Sequence, residues 1–435
     1  MAWQGRDSGR VSGERSAVVL RGRYGGGGGA VTVLLFMMAC RTEVPPPEPV
    51  VQPEPLGAVH LAPQDLQTAL TNTAAFSSTR PEYERPLGTG QVIPEGLSSL
   101  SSESCGTCHV ALYEEWKVST HAAAWRDPQY QVEIQKSDNR WLCLNCHSPL
   151  LVQQDVWPVG LVLGDVERPQ LVANPGFDEA LRDEGIGCAG CHVRDGVIHG
   201  PGLGGNPPHP VQADASYASG ELCFRCHQAT ATYPGKTFVC VFDTGAEWAA
   251  GPYPDEGKNC VTCHMPAVTR PAAVGGSERT VARHWWRGAG IPKFAGVHPP
   301  PEANPPGLEL KASWTDAVVV TATNANAGHY LPSGDPERWV QVTVQFEDAD
   351  GSGIGEAWTT RFGQEWTWWP EPEKHGDTRL APRESRTFTV RAPSDAVRAT
   401  VTGSSHRMSE ETAAYHELED YPLSIQTHEL VLTAP

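Results

Sequence analysis

The stretch "CGTCHVALYEEWKVSTHAAAW", residues 105–125, holds two cysteines three apart, a histidine fused to the second, and another histidine twelve residues on. The same opening recurs as "CLNCH" (143–147), "CAGCH" (188–192), "CFRCH" (223–227) and "CVTCH" (260–264). Histidine is 16 of 435 residues, so five such adjacencies would arise by chance on the order of once in ten million. Zinc sites accept a spread of ligand spacings and do not need this one. Covalent c-type haem does need it. Two thiols add to the two vinyl groups on one edge of the porphyrin, and the adjacent imidazole reaches the iron from one face. A step of three residues from one thiol to the next approximates one helical turn, which projects both sulfurs and the imidazole to one side.

Five covalent haem c groups are therefore expected. Their attachment points are Cys105 and Cys108, Cys143 and Cys146, Cys188 and Cys191, Cys223 and Cys226, and Cys260 and Cys263. Their proximal ligands are His109, His147, His192, His227 and His264. The motifs follow one another every 35 to 45 residues, too little chain for an ordinary aliphatic core. Stacked porphyrins joined by short helices and loops must form that core instead. Ten of the twelve cysteines are used in this way. Cys240, in the apolar "TFVCVF", reads as an inert buried thiol.

A haem iron held by histidine on one face takes a second protein ligand or stays open. Beyond the N-terminal apolar run the only methionines are Met265 and Met408. Met265 adjoins His264 and cannot reach the opposite face of that iron. Eleven histidines lie outside the motifs, so mostly bis-histidine ligation is expected, with His121 as a distal candidate.

The flanks have other textures. Arg6, Arg10, Arg15, Arg21 and Arg23 precede a short apolar run, "AVTVLLFMMAC" (30–40), too short for a spanning helix and suited to an export signal. Ala39-Cys40 resembles the lipobox of bacterial lipoproteins, which implies lipid on Cys40, and Arg41 after it leans towards the outer membrane. "EVPPPEPVVQPEPLG" (43–57) reads as an extended spacer, and residues 58–100 show no strong periodicity. From about Leu308 cysteine disappears and strands are predicted at "AVVVTAT" (317–323), "WVQVTVQF" (339–346), "TFTV" (387–390), "VRATV" (397–401) and "HELVLTA" (428–434). The expected fold class is α+β: a mostly helical and irregular multihaem module followed by a C-terminal β-sandwich. The boundaries are a signal peptide over 1–39, a lipid-anchored linker and leader over 40–100, a pentahaem domain over 101–305 and the sandwich over 306–435.

Three segments also carry a family resemblance. "CGTCHVALYEEWKVSTHAAAW" resembles the opening module of multihaem cytochromes related to the tetrahaem cytochrome and hydroxylamine oxidoreductase of ammonia oxidation. "FDTGAEWAAGPYPDEGKNCVTCHMP" (242–266) is similar to that group's EW…CxxCHMP segment, and "NANAGHYLPSGDPERWVQVTV" (324–344) to its GHxxP turn leading into a sandwich strand. The resemblance implies distal ligands at His121, in the SxH position, at His329, in the GHxxP turn, and at His284, past the last motif. His209, in "PPHPVQAD", and His199, seven residues past His192, are further candidates, with His298, His406 and His416 in reserve.

The formal net charge of −18 argues against nucleic acid as a partner, since phosphates would repel such a surface. The partners expected are other redox proteins, cytochromes or quinol-linked donors, with the membrane met through the lipid anchor. The chain reads as an exported bacterial protein, periplasmic or on the outer membrane, that transfers electrons. The competing reading is an oxidoreductase with one open iron acting on hydroxylamine, nitrite or another small nitrogen or sulfur species. Multihaem nitrite reductases typically carry CxxCK at the reacting haem, and none occurs here.

Overall fold

Each motif occupies about one turn of helix. Trp141–His147, Cys188–His192 and Cys260–His264 contain their motifs whole. Cys105 lies in Ser102–Gly106, and His109 is the N-cap of Val110–Lys117. Cys223 ends a tight turn, Glu221–Cys223, that runs into Phe224–His227. Helices this short make few internal bonds, so their first amides need side-chain partners. The Ser101 hydroxyl accepts from the Ser104 amide at 3.1 Å. Asn259 Oδ1 accepts from the Thr262 amide at 3.1 Å while Thr262 Oγ1 accepts from the Asn259 amide at 2.9 Å, a reciprocal cap. Gly220 stands at φ 83° with Cys260 Sγ 3.3 Å from where a Cβ would sit, so only glycine turns there without crowding a motif thiol.

This computed structural model describes residues 57–135, 140–202, 206–232, 239–286, 288–294, 296–297, 300, 305–368 and 372–435. Cys40, His298 and the side chain of Cys240 lie outside the described residues. Strand exceeds helix, 31% against 25%, partly because short sheets thread the motif region, where helix and irregular chain were expected. Val156–Leu161 pairs antiparallel with Pro169–Ala173, to which Val59–His60 adds in parallel. Ala267–Pro271 and Glu278–Ala282 form a hairpin after the last motif. The 58–100 leader contains a 13-residue helix, Leu66–Ser78, capped by Asp65. It buries only Ala69 and Thr73, so no apolar stripe announced it. Aliphatic packing near the motifs is divided into small clusters, such as Leu100, Leu150, Leu181, Ala189 and Val193.

The C-terminal part is built from two antiparallel sheets. One orders Leu308–Trp314, Val318–Asn324 and Ser385–Val390. The other orders Glu373–Asp377, Gly353–Thr367, Trp339–Glu347, Arg398–His406 and Ser424–Thr433. Val340, Val342, Val344 and Phe346 are all buried while the residues between them are half-exposed, the period of two that a one-sided strand requires. With Val318, Val320, Val390, Phe362 and Val401 from both sheets they form one apolar cluster, and each such side chain contributes about 1.5–3 kcal/mol on burial. Among the described residues no helix is long and apolar enough to cross a membrane.

Candidate haem-binding site

The fold brings motif histidines opposite histidines from distant parts of the chain. The ring centroids of His109 and His209 are 6.5 Å apart, those of His121 and His227 6.3 Å, those of His192 and His284 6.2 Å, and those of His264 and His329 6.3 Å. Rings in van der Waals stacking would sit closer, at about 3.5–4 Å. An imidazole nitrogen bonds a metal at about 2 Å and lies roughly 1.1 Å from its ring centre, so two rings on one ion stand about 6 Å apart. The four pairs fit a haem iron between them. None of the ten motif cysteines is taken up in a disulfide, which leaves them for attachment. Among the described residues, no group of three or more His, Cys, Asp or Glu side chains is gathered to hold a bare metal ion.

Orientation of the rings comes from their other nitrogen. Nδ1 of His109, His147 and His192 bonds the carbonyls of Ala272, Ala124 and His199 at 2.8, 2.7 and 2.7 Å. Nδ1 of His284 and His329 bonds those of Ala282 and Tyr330 at 3.0 and 2.8 Å. With Nδ1 donating, Nε2 keeps its lone pair for a metal. Burial, reinforced by neighbouring imidazoles, pushes His121 down to about 3, and burial likewise takes His227 and His284 down to about 4. All three are neutral at physiological pH, the form that ligates.

His199 does not stand opposite a motif imidazole, contrary to the expectation for it. It sits on the short strand Val197–Gly200, where its carbonyl serves the Nδ1 of His192 and its own ring lies 3.8 Å from Asp214. The seven-residue step that suggested it is a hairpin step, so it supports the proximal side of the same site. His406 is a sheet residue stacked on Trp339 at 4.5 Å, and His416 lies 3.5 Å from Glu133.

His147 differs from the other four. Its aromatic neighbour is Tyr130, stacked at 3.7 Å with the planes 1° apart, and no histidine ring faces it among the described residues. Tyr130 is 6% exposed, and its buried hydroxyl has no hydrogen-bond partner among the described residues. Asp127 and Lys293 act electrostatically on the His147 ring. Lys293 bonds Asp127 and lies 3.3 Å from Tyr421, whose hydroxyl donates to Asp127 at 2.7 Å. Burial pushes Lys293 down to about 8, against the opposing pull of Asp127.

Several positioning residues carry no motif. Glu115, 4% exposed, accepts from Arg270 at 2.7 and 2.8 Å, from Arg283 at 2.7 Å and from the His284 amide at 2.8 Å. It thereby ties Val110–Lys117 to the hairpin that delivers His284. Glu115→Ala should cost about 3 kcal/mol or more, because it leaves two partly buried guanidinium groups unpaired. Thermal melts of the variant, with Glu115→Gln as the shape-preserving control, check this. The His329 loop is held by fully buried Asn324, whose Nδ2 donates to the carbonyls of His329 at 2.9 Å and Leu380 at 3.1 Å. Glu247 docks the same loop from the motif region, taking Ser333 Oγ and Arg379 at 2.6 Å each. A carboxylate inside an apolar helix, as in "ALYEEW", was the available signal for Glu115; Asn324 left none.

Thiols of different motifs also meet. The neighbouring thiol of another motif is the largest influence raising the pKa of Cys105, Cys223 and Cys226, from Cys188, Cys260 and Cys146 respectively.

Residues 104–161 match the family model described as cytochrome c554 and c-prime. The fold is similar to the crystal structure of a penta-heme cytochrome c552 from Thermochromatium tepidum, with a TM-score of 0.56 and 18% identity over 79% of this chain and 100% of that one. At that identity the likeness concerns the fold. Among curated proteins none matches this chain. Family match and motifs together support a multihaem c-type cytochrome with covalently bound haem.

Proposed function

We propose that this chain is a pentahaem c-type cytochrome of the bacterial envelope that passes electrons between redox proteins, with four of its haems held by histidine pairs. The observation that carries the reading is the set of four imidazole pairs at 6.2–6.5 Å. In it His209, His227 with His121, His284 and His329 act as axial partners alongside the other motif histidines. A bound haem supplies one electron at its iron. The chain supplies neutral imidazoles, buried surroundings and short steps between sites. The thiol contacts favour adjacency of the first and third sites, the fourth and fifth, and the second and fourth. The two C-terminal sheets, read as a β-sandwich, serve to deliver His329. Intact mass of the purified protein should exceed that of the polypeptide by five haems, and electron paramagnetic resonance should show predominantly low-spin iron. Zinc without iron in metal analysis would end this reading.

A second reading has one specific observation in its favour: among the described residues, no histidine faces His147. That site leaves room for a small nitrogen or sulfur species on an open iron, which would add an oxidoreductase activity to electron transfer. Anchoring through Cys40 is a separate proposal, supported by the apolar run before it and the proline spacer after it. Cys40→Ser should move the protein from membrane to soluble fractions or block its processing. Unchanged fractionation counts against a lipid.

A further inference from the structure

Trp286 touches two of the histidine pairs at once. Its indole meets the His121 ring at 4.7 Å and 60°, and the His284 ring at 5.0 Å and 84°, both edge-on. His121 faces His227, and His284 faces His192, so one side chain is wedged between the outer ligands of two different haem sites. Its backbone stands at φ 42°, a left-handed conformation that a bulky residue avoids unless the surroundings impose it. The segment therefore accepts a strained residue where the indole is delivered.

The two imidazoles are held unequally. The His284 ring bonds the Ala282 carbonyl, and its amide bonds Glu115. The His121 ring has no hydrogen bond among the described residues, and its aromatic contacts are His227 and Trp286. Edge-on packing fixes the rotation of a ring as a hydrogen bond does, though through shape. The plane of an axial imidazole sets the splitting of the iron orbitals it meets and so contributes to spectrum and potential.

We propose that Trp286 is a positioning residue shared by the His192/His284 and His121/His227 haems: it fixes both outer imidazole planes together and couples the two centres. The proposal rests on the histidine-pair reading above. Wild-type protein without low-spin signals would defeat that reading itself, before any variant is made.

The test uses the full-length haem-loaded protein and the variants Trp286→Leu and Trp286→Phe, read by low-temperature electron paramagnetic resonance and by stepwise redox titration. His121→Ala and His284→Ala assign the signals. Trp286→Leu should shift the g-values of two low-spin haems and the midpoints of the same two redox steps. The His109/His209 and His264/His329 haems should keep wild-type signals. Trp286→Phe, which retains a ring in the wedge, should move the same two signals by less. Wild-type spectra in the leucine variant overturn the proposal, as does an equal disturbance of every haem, which would mark Trp286 as packing only. Should the leucine variant fail to assemble, the phenylalanine variant decides alone: a shift confined to those two signals supports the coupling, and none overturns it.

Discussion

His329→Ala should turn one low-spin haem high-spin, open it to carbon monoxide or cyanide, and raise its potential, while the other haems keep their spectra. His329 stands 6.3 Å from His264 with the two rings nearly parallel, at 4°. Its loop is preset by Asn324 from below and by the Glu247–Arg379 pair from the motif region. A preset imidazole loses little entropy on binding a metal, so its removal should sacrifice a favourable ligand. Burial holds the ring's pKa below the usual histidine value, which keeps it neutral and ready to ligate. Weaker axial donation favours the reduced iron, hence the upward shift in potential. The decisive measurement is visible and paramagnetic-resonance spectroscopy with and without carbon monoxide. A variant indistinguishable from wild type would reduce His329 to a turn residue and leave the C-terminal sheets without a role at the haems.

In the unmutated protein, carbon monoxide should bind one haem of the five in the reduced state, and that haem should be the one on Cys143, Cys146 and His147. Four motif imidazoles face a second imidazole at 6.2–6.5 Å, whereas His147 has Tyr130 against its own ring and, among the described residues, no imidazole opposite. Tyr130 packs beside the His147 ring, not across an iron from it, since 3.7 Å between parallel planes leaves no room for a metal. Titration with carbon monoxide should therefore saturate near one equivalent per chain, and His329→Ala should raise that to two. Tyr130→Ala should perturb the same haem alone, because it removes the packing that orients His147. A wild-type protein that binds no carbon monoxide would exclude the open site and with it the small-molecule chemistry suggested for it.

Much of this was legible in the linear chain. The strands expected at 317–323, 339–346, 387–390, 397–401 and 428–434 coincide with Val318–Asn324, Trp339–Glu347, Ser385–Val390, Arg398–His406 and Ser424–Thr433. Their β-branched alternation follows from burying one face. Gly353–Thr367 was not foreseen because its solvent-facing residues dominate, with only Phe362, Gly363 and Gln364 buried. Leu66–Ser78 escaped for the opposite reason, since Ala and Thr make its buried contacts.

Haem attachment is determined by the sequence alone, because the chemistry is local: two thiols and an imidazole within five residues, on one turn of helix. The opposite face of each iron is another matter. The imidazole that faces a motif ring arrives through space, from 65 residues after His264 or 106 residues before His227, and no spacing rule constrains such an approach. His199, near in sequence to His192, turned out to support the proximal ring through its carbonyl. His209 and His284, far from their partners, came to face them. Only long-range packing, through Glu115, Asn324 and the two C-terminal sheets, could decide which imidazoles pair and that, among the described residues, His147 stands without one.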